Sequence, residues 1–413
     1  MANYLSGVGH NVKFLAAKGV SVSYFGLQKE VETLKPEYLE DKLQNFYTLK
    51  AIGLIDGARS SPQFRIEGYL RGLVNYIAKS IALPDIGSFF LLKFIRRAFQ
   101  IIREEDIEVL IVSSPPHSSQ ILGLVVKIFF KEKVALIVDY RDGWNTFSLF
   151  RAANPIKRFF SELLEFFVLK NADLFLYQSP TVLKQILQKY FWPADGLTSK
   201  SLLVRNGYTS LESNRLKILE KNYSQNDSNV YFRIGYFGGL DLSEFNYRNP
   251  IELFRMLDKV DREIELIIYG NFSGLENLGA FKNLKVRYMG QVALDQAKAA
   301  MHDCDSLLVF HASAEGGEEV IPGKFYEYID AQRPIIVFGP ANMECGLIVK
   351  EMNLGVFLEI DYPEENIKKL SSFIGSSDLG EYAQKLKHVR HEFSREAQYK
   401  KLEAALSLLM SQK

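Results

Sequence analysis

The stretch Glu318–Gly339, EEVIPGKFYEYIDAQRPIIVFG, decides how this chain is read. Two carboxylates, Glu319 and Glu327, stand eight residues apart across a Pro-Gly turn, and an apolar run begins at Pro334. The spacing predicts a helix after the turn, with Glu327 in its first or second turn, and then a buried strand. Turn, helix and strand in that order are one step of an α/β sheet. Backbone N–H groups at such a helix start, together with the positive end of the helix dipole, favour an anion such as a diphosphate.

A carboxylate beside that anion would repel it unless it were engaged elsewhere. The economical use for one is to accept hydrogen bonds from sugar or ribose hydroxyls, since its two oxygens can take a vicinal diol.

Working outward, β-branched runs alternate with helical patterns along the chain, as in βαβ units with a parallel sheet. In the first half strands are expected at 20–25, 108–114, 134–140, 173–179 and 201–206. In the second they are expected at 231–238, 263–270, 284–290, 305–313, 333–339 and 354–360. Both halves are Rossmann-like. The polar stretch 210–229 reads as a linker. This gives an N-terminal domain over 1–209, a C-terminal domain over 230–379, and a helical segment over 380–413 long enough to lie along both. A ligand is expected in the cleft between them, where strand ends and helix starts converge. The chain reaches the turn Ser6–Gly9, SGVG, almost at once, so the first strand of the N-terminal domain is expected to be missing or truncated.

The 413 residues suit two domains, and 47% hydrophobic with 24% charged residues is a globular composition. Two distant cysteines, Cys304 and Cys345, offer neither a disulfide framework nor metal-ligand spacing. The apolar runs are broken by lysine short of a membrane span, and the N-terminus lacks the order of a signal peptide, so a cytoplasmic location is expected. A net charge of +1 hides an asymmetry: up to Arg205 basic residues are in excess, and beyond it acidic ones. Lys93–Phe99 and Arg151–Phe160 mix cations with apolar residues and would suit anionic lipid at the inner face of the plasma membrane, although solvated helix faces are the plainer reading. No nucleic-acid partner is expected.

The Glu318–Gly339 stretch resembles the E-x7-E region of the retaining glycosyltransferases of family 4, which have a GT-B fold. SSPPHSS (113–119), DYRDGW (139–144), VRNGY (204–208), IGYFGGL (234–240) and the C-terminal FSREAQYKKLEAAL agree with that family in order along the chain. The likeness is nearest to bacterial members that build surface polysaccharides. It implies two Rossmann-like domains facing across a cleft, with the C-terminal helix crossing back. The implied substrates are a nucleotide-diphosphate sugar and a glycan or lipid-linked acceptor, with no metal.

By the same resemblance Glu327 binds the nucleotide ribose, and Glu319 contacts the transferred sugar near its reacting carbon. Ile321, Pro322, Gly323 and Lys324 form the loop that faces sugar and diphosphate, and Gly238 and Gly239 let the phosphates approach the backbone. Arg248 is the candidate for one member of a basic pair on the leaving diphosphate, and Lys324 could be the other. The base would meet backbone near Gly290–Val292. On the acceptor side, Asp142 or Asp139 could orient the acceptor hydroxyl or take its proton, Trp144 could stack on a sugar ring, and His117 could touch acceptor or donor.

Each reading has a competitor in the residues themselves. Glu315 competes with Glu319, whose spacing is better. DYRDGW could be a structural cluster in which Arg141 pairs with Asp139 or Asp142, Arg248 could be a solvated helix-start residue, and His117 and His311 could be satisfied strand-end histidines. For the whole chain the alternatives are a nucleotide-sugar 2-epimerase of the same fold and a non-catalytic nucleotide-sugar-binding scaffold.

Overall fold

A computed structural model describes residues 1–17, 37–39, 82–148, 150–152, 154–192, 196–209, 231–242, 249–311, 317–375 and 379–411. The expected strand at 20–25, the linker, Arg248 and Glu315 lie outside the described residues.

The chain begins with a helix, α1 (Ala2–Gly7), followed by a three-residue strand β1 (Leu15–Ala17). β1 pairs in parallel with β2 (Glu37–Leu39) in a two-stranded sheet. SGVG is thus the end of a helix and not the phosphate turn of a first strand. The reason is tertiary: α1 buries Leu5 beside Leu402 and Leu406, and Tyr4 donates from its hydroxyl to Glu403 at 2.7 Å.

Among the described residues, four parallel strands make the N-terminal sheet, in the order β3 (Val109–Ser114), β4 (Ala135–Tyr140), β5 (Leu174–Tyr177) and β6 (Ser201–Leu203). All six residues of β4 are buried, as expected for a strand covered on both faces. The accompanying helices are α2 (Leu91–Glu104), α3 (Ser118–Phe130), α4 (Pro155–Asn171) and α5 (Pro180–Lys189). Two of them have strong start signals. Asn154 accepts from the amides of Ile156 and Lys157, Ser179 from that of Val182, and proline follows each cap.

The C-terminal sheet has six parallel strands. They are β7 (Phe232–Phe237), β9 (Ile264–Tyr269), β11 (Leu284–Gly290), β12 (Ser306–Phe310), β13 (Ile335–Gly339) and β14 (Gly355–Glu359). The small strands β8 (Leu240–Asp241) and β10 (Phe272–Ser273) pair separately. The spatial order β11-β9-β7-β12-β13-β14 reverses direction between β7 and β12. That is the doubly wound order, and its switch point is where such sheets take ligands. Helices α6 (Ile251–Asp258), α7 (Leu294–His302), α8 (Gly323–Ala331), α9 (Glu344–Met352) and α10 (Pro363–Gly375) complete the domain.

The segment expected as one helix over 380–411 is two, α11 (Leu379–Val389) and α12 (Arg395–Ser411), joined by a 3-10 turn at Arg390–Phe393. α11 buries Leu386 in the C-terminal core, whereas α12 buries Leu402 and Leu406 with Ile137, Leu176 and Val204 of the N-terminal domain. The break is shaped by Asn206-Gly207-Tyr208. Tyr208 donates its amide to the Phe393 carbonyl and accepts from Arg395 N–H. Gly207 has φ +68°, and a Cβ there would lie 2.8 Å from both Arg395 N and Phe393 O. The chain therefore crosses back at a point that only glycine admits. No helix among the described residues is long and apolar enough to cross a membrane.

Candidate active site

The switch point brings three of the expected features together. β7 ends at Gly238 and Gly239, and Gly238 donates its amide to the Tyr269 carbonyl. Gly270, at φ +132°, lets this turn close, since a Cβ on it would lie 2.2 Å from the Gly238 oxygen. α8 starts opposite. Pro322 is its N-cap, Gly323 is exposed with nothing within 4 Å of where a Cβ would stand, and Ile321 is buried beneath. Lys324 carries its ammonium over the Tyr236 ring, 3.6 Å from the centroid, and to 3.1 Å from the position of a Cβ on Gly238. A glycine turn, a helix start and a cation thus share one spot, which is the chemistry that holds a phosphate. Val292 is half-buried just beyond β11.

Glu327 lies one turn into α8, and its Oε2 is 2.5 Å from the ammonium of Lys298 on α7. Lys298 also donates to the Thr209 carbonyl at 2.7 Å and faces Asp330, which Arg390 holds from the other side at 2.9 Å. Burial pushes the Glu327 carboxyl up, and Lys298 opposes it. Sequence reasoning missed Lys298. The only available signal was the question already posed, namely what engages a carboxylate beside a phosphate site.

Glu319 sits elsewhere. Its side chain is fully buried, and Oε1 accepts the amide of Gly143 from the N-terminal domain at 3.0 Å. Burial pushes this carboxyl up to about 8. Gly143 is required for the contact, because a Cβ on it would lie 2.0 Å from Oε1. Other acids of the C-terminal half repeat the pattern. Glu318 accepts from Gln185 at 2.8 Å, and Glu344 accepts from Thr181 at 2.7 Å and lies 3.6 Å from Arg205. Acids of the C-terminal half thus meet mostly neutral donors of the N-terminal domain, and only Glu344 faces a cation among these contacts.

The acceptor-side candidates are mostly interior. Arg141 grips both oxygens of Asp139, at 2.8 and 3.0 Å, and reaches the Val204 carbonyl and Asn206, so this pair is the structural cluster weighed against a substrate role. Trp144 is fully buried and cannot offer its face to a sugar, because it stacks on His117 with centroids 5.4 Å apart. His117 is buried among Tyr140, Trp144 and Phe150, and desolvation pulls its pKa down to about 4. Its ring nitrogens have no hydrogen-bond partner among the described residues, so the reading of it as a satisfied strand-end histidine is not met in full. Asp142 is half-buried and raised to about 6 by desolvation, with Gln178 opposing. Of this group Arg141 and Asp142 are half-buried, and Asp142 directly precedes Gly143.

In sequence, no family model and no curated protein matches this chain. In structure it is similar to a glycosyltransferase from Rickettsia africae ESF-5, at 14% identity and TM-score 0.62, over 100% of this chain and 93% of that one. It is also similar to sucrose-phosphate synthase from Thermosynechococcus elongatus, at 14% identity and TM-score 0.54, over 79% and 80%. A third likeness is to HepE from Anabaena in complex with UDP, at 13% identity and TM-score 0.53, over 77% and 81%. Identities this low carry the architecture alone, and that architecture is the GT-B fold, two Rossmann-like domains tied by a back-crossing C-terminal helix.

Proposed function

We propose that this chain is a retaining glycosyltransferase that moves a sugar from a nucleotide-diphosphate donor to a glycan or lipid-linked acceptor, in the building of a cell-surface polysaccharide inside the cell. The observation that carries the reading is the Lys324 ammonium at the Gly238 turn, one helix turn from Glu327. Diphosphate lies between the glycine turn and the start of α8, where Lys324 and the helix dipole neutralise it without a metal ion. Glu327, held by Lys298, accepts the ribose hydroxyls, so its charge does not oppose the phosphate. The UDP in the HepE structure makes a uridine nucleotide the first to test.

The bond from the sugar's anomeric carbon to the phosphate oxygen breaks as the acceptor oxygen attacks on the same face. The acceptor's proton passes to the departing phosphate oxygen, so no strong base is needed, and Asp142 orients the acceptor hydroxyl. Glu319 meets the transferred sugar when the domains part enough to release it from Gly143.

Titration calorimetry with UDP, GDP, ADP and dTDP, at fixed salt and with EDTA present, tests the donor site. Binding of one nucleotide is expected, weakened about tenfold or more by Lys324→Ala and by Glu327→Ala. Folded wild-type protein that binds none of the four at millimolar concentration would sink the reading.

A further inference from the structure

Helix α4 is built inside out. Its inward face carries Ser161 and Glu165 beside Val168 and Leu169. Glu165 is held by hydrogen bonds from Asn145 at 2.7 Å and Tyr190 at 2.5 Å. Its outward face carries Ile156, Phe159, Phe160, Leu163 and Phe167, each between 40% and 70% exposed. These positions follow one another at helical spacing and form a single stripe. Phe191, 92% exposed, extends it, because the neighbouring Trp192 packs its ring 5.3 Å from that of Phe166 on α4. Scattered exposed apolar residues are ordinary, but a stripe along about three turns of one helix marks a contact surface.

The charges around the stripe select the partner. Lys157 and Lys170 lie on α4 and Arg151 just precedes it, whereas Arg158 turns back to the Ala152 carbonyl. The acids of the same helix are engaged, Glu162 with Lys189 at 2.6 Å and Glu165 in its interior bonds. The face is therefore apolar with a positive margin. Two copies meeting through it would set like charges against each other, whereas an anionic headgroup layer accepts the cations while the phenylalanines enter the acyl boundary. We infer that this face of α4 seats the protein on an anionic lipid surface.

The two basic stretches picked out in the sequence divide accordingly. Along Lys93–Phe99, helix α2 turns Phe94, Ile95 and Phe99 into the domain core, so only Arg151–Phe160 supplies the stripe. The loop that holds Asp142 and Gly143 leads into α4 and packs on its inward face through Asn145, which bonds Ser161 and Glu165. The further step, that the acceptor is lipid-linked, rests on the transferase reading; the lipid contact does not.

Flotation with vesicles of phosphatidylcholine alone, and of phosphatidylcholine mixed with phosphatidylglycerol, tests the contact. The wild-type chain is expected to float with the mixed vesicles only. Phe159→Ser with Phe160→Ser, and separately Lys157→Glu with Lys170→Glu, should each weaken partition on the order of tenfold. Nucleotide binding measured by calorimetry should be the same in all three proteins, which keeps a failure here distinct from a failure of the donor site. Wild-type protein that stays unbound, or flotation indifferent to the phenylalanine changes, would overturn the inference. So would a dimer in sedimentation that the phenylalanine changes disperse, because the face would then belong to a second copy.

Discussion

The carboxyl ends of the two sheets, equivalent in topology, present opposite surfaces. In the C-terminal domain β7 and α8 meet at glycines, an exposed helix start and the Lys324 ammonium. In the N-terminal domain β3 and β4 run into an aromatic plug, His117 on Trp144 with Tyr140, Phe147 and Phe150 around them. A doubly wound sheet supplies the place for a ligand, and side-chain volume there decides whether one can enter. One end leaves its backbone open beside a cation and the other is filled by its own side chains. The contact between Gly143 and Glu319 is one of those that join the two.

The sharpest way to break this comparison is to remove the plug. Trp144→Ala should cost about 3–5 kcal/mol, as for other large aromatic truncations in a core, and leave nucleotide affinity unchanged. Calorimetric unfolding with and without nucleotide reads both quantities. Lost nucleotide affinity in a protein of unchanged stability would make the plug a ligand surface after all. Gly143→Ala acts at the joint instead. The added methyl meets Glu319 Oε1 and Thr146 Oγ1 at about 2 Å, so the contact should open at a cost of about 1–3 kcal/mol. A larger radius of gyration in small-angle scattering is the expected sign, and an unchanged one would mean that other contacts hold the domains.

What the sequence made legible was whatever is local. Within the described residues, each expected strand overlaps an observed one, because short β-branched runs bounded by turn residues suffice to mark them. Glu327 and Lys324 were legible for the same reason, since turn, helix start and carboxylate are contiguous. Their partners were not. Lys298 arrives from another helix and Gly143 from another domain, and neither position carries a local pattern that names its target. Trp144 shows the converse error. An aromatic beside a strand end reads as a sugar platform until a loop folds it over His117, and burial of that kind is decided by tertiary packing. The break between α11 and α12 was equally hidden, because its cause is Gly207, far back in the chain.

The smallest expected effect concerns pH, and it sharpens the comparison at the joint. Burial, helped by the charges of Glu165 and Glu318, holds the Glu319 carboxyl up to about 8, with Thr146 and the Gly143 N–H opposing. A carboxyl raised on folding stabilises the contact fully below the usual carboxylate range, and that contribution is lost as pH rises to about 8. Asp142, raised to about 6, has the same sign but is spent sooner. His117, lowered to about 4, has the opposite sign. Its contribution is present above the usual imidazole value and is lost as pH falls. From about pH 7 to 8, then, Glu319 is the one of the three still titrating. The domain contact should weaken by up to about 1.4 kcal/mol per pH unit over that interval in the wild type. Glu319→Gln keeps an oxygen for the Gly143 amide and has no proton to lose, so its thermal midpoint and radius of gyration should stay level there. Parallel curves for the two proteins would show that the joint is indifferent to this carboxyl, leaving closure to Glu318, Glu344 and the crossing of α12.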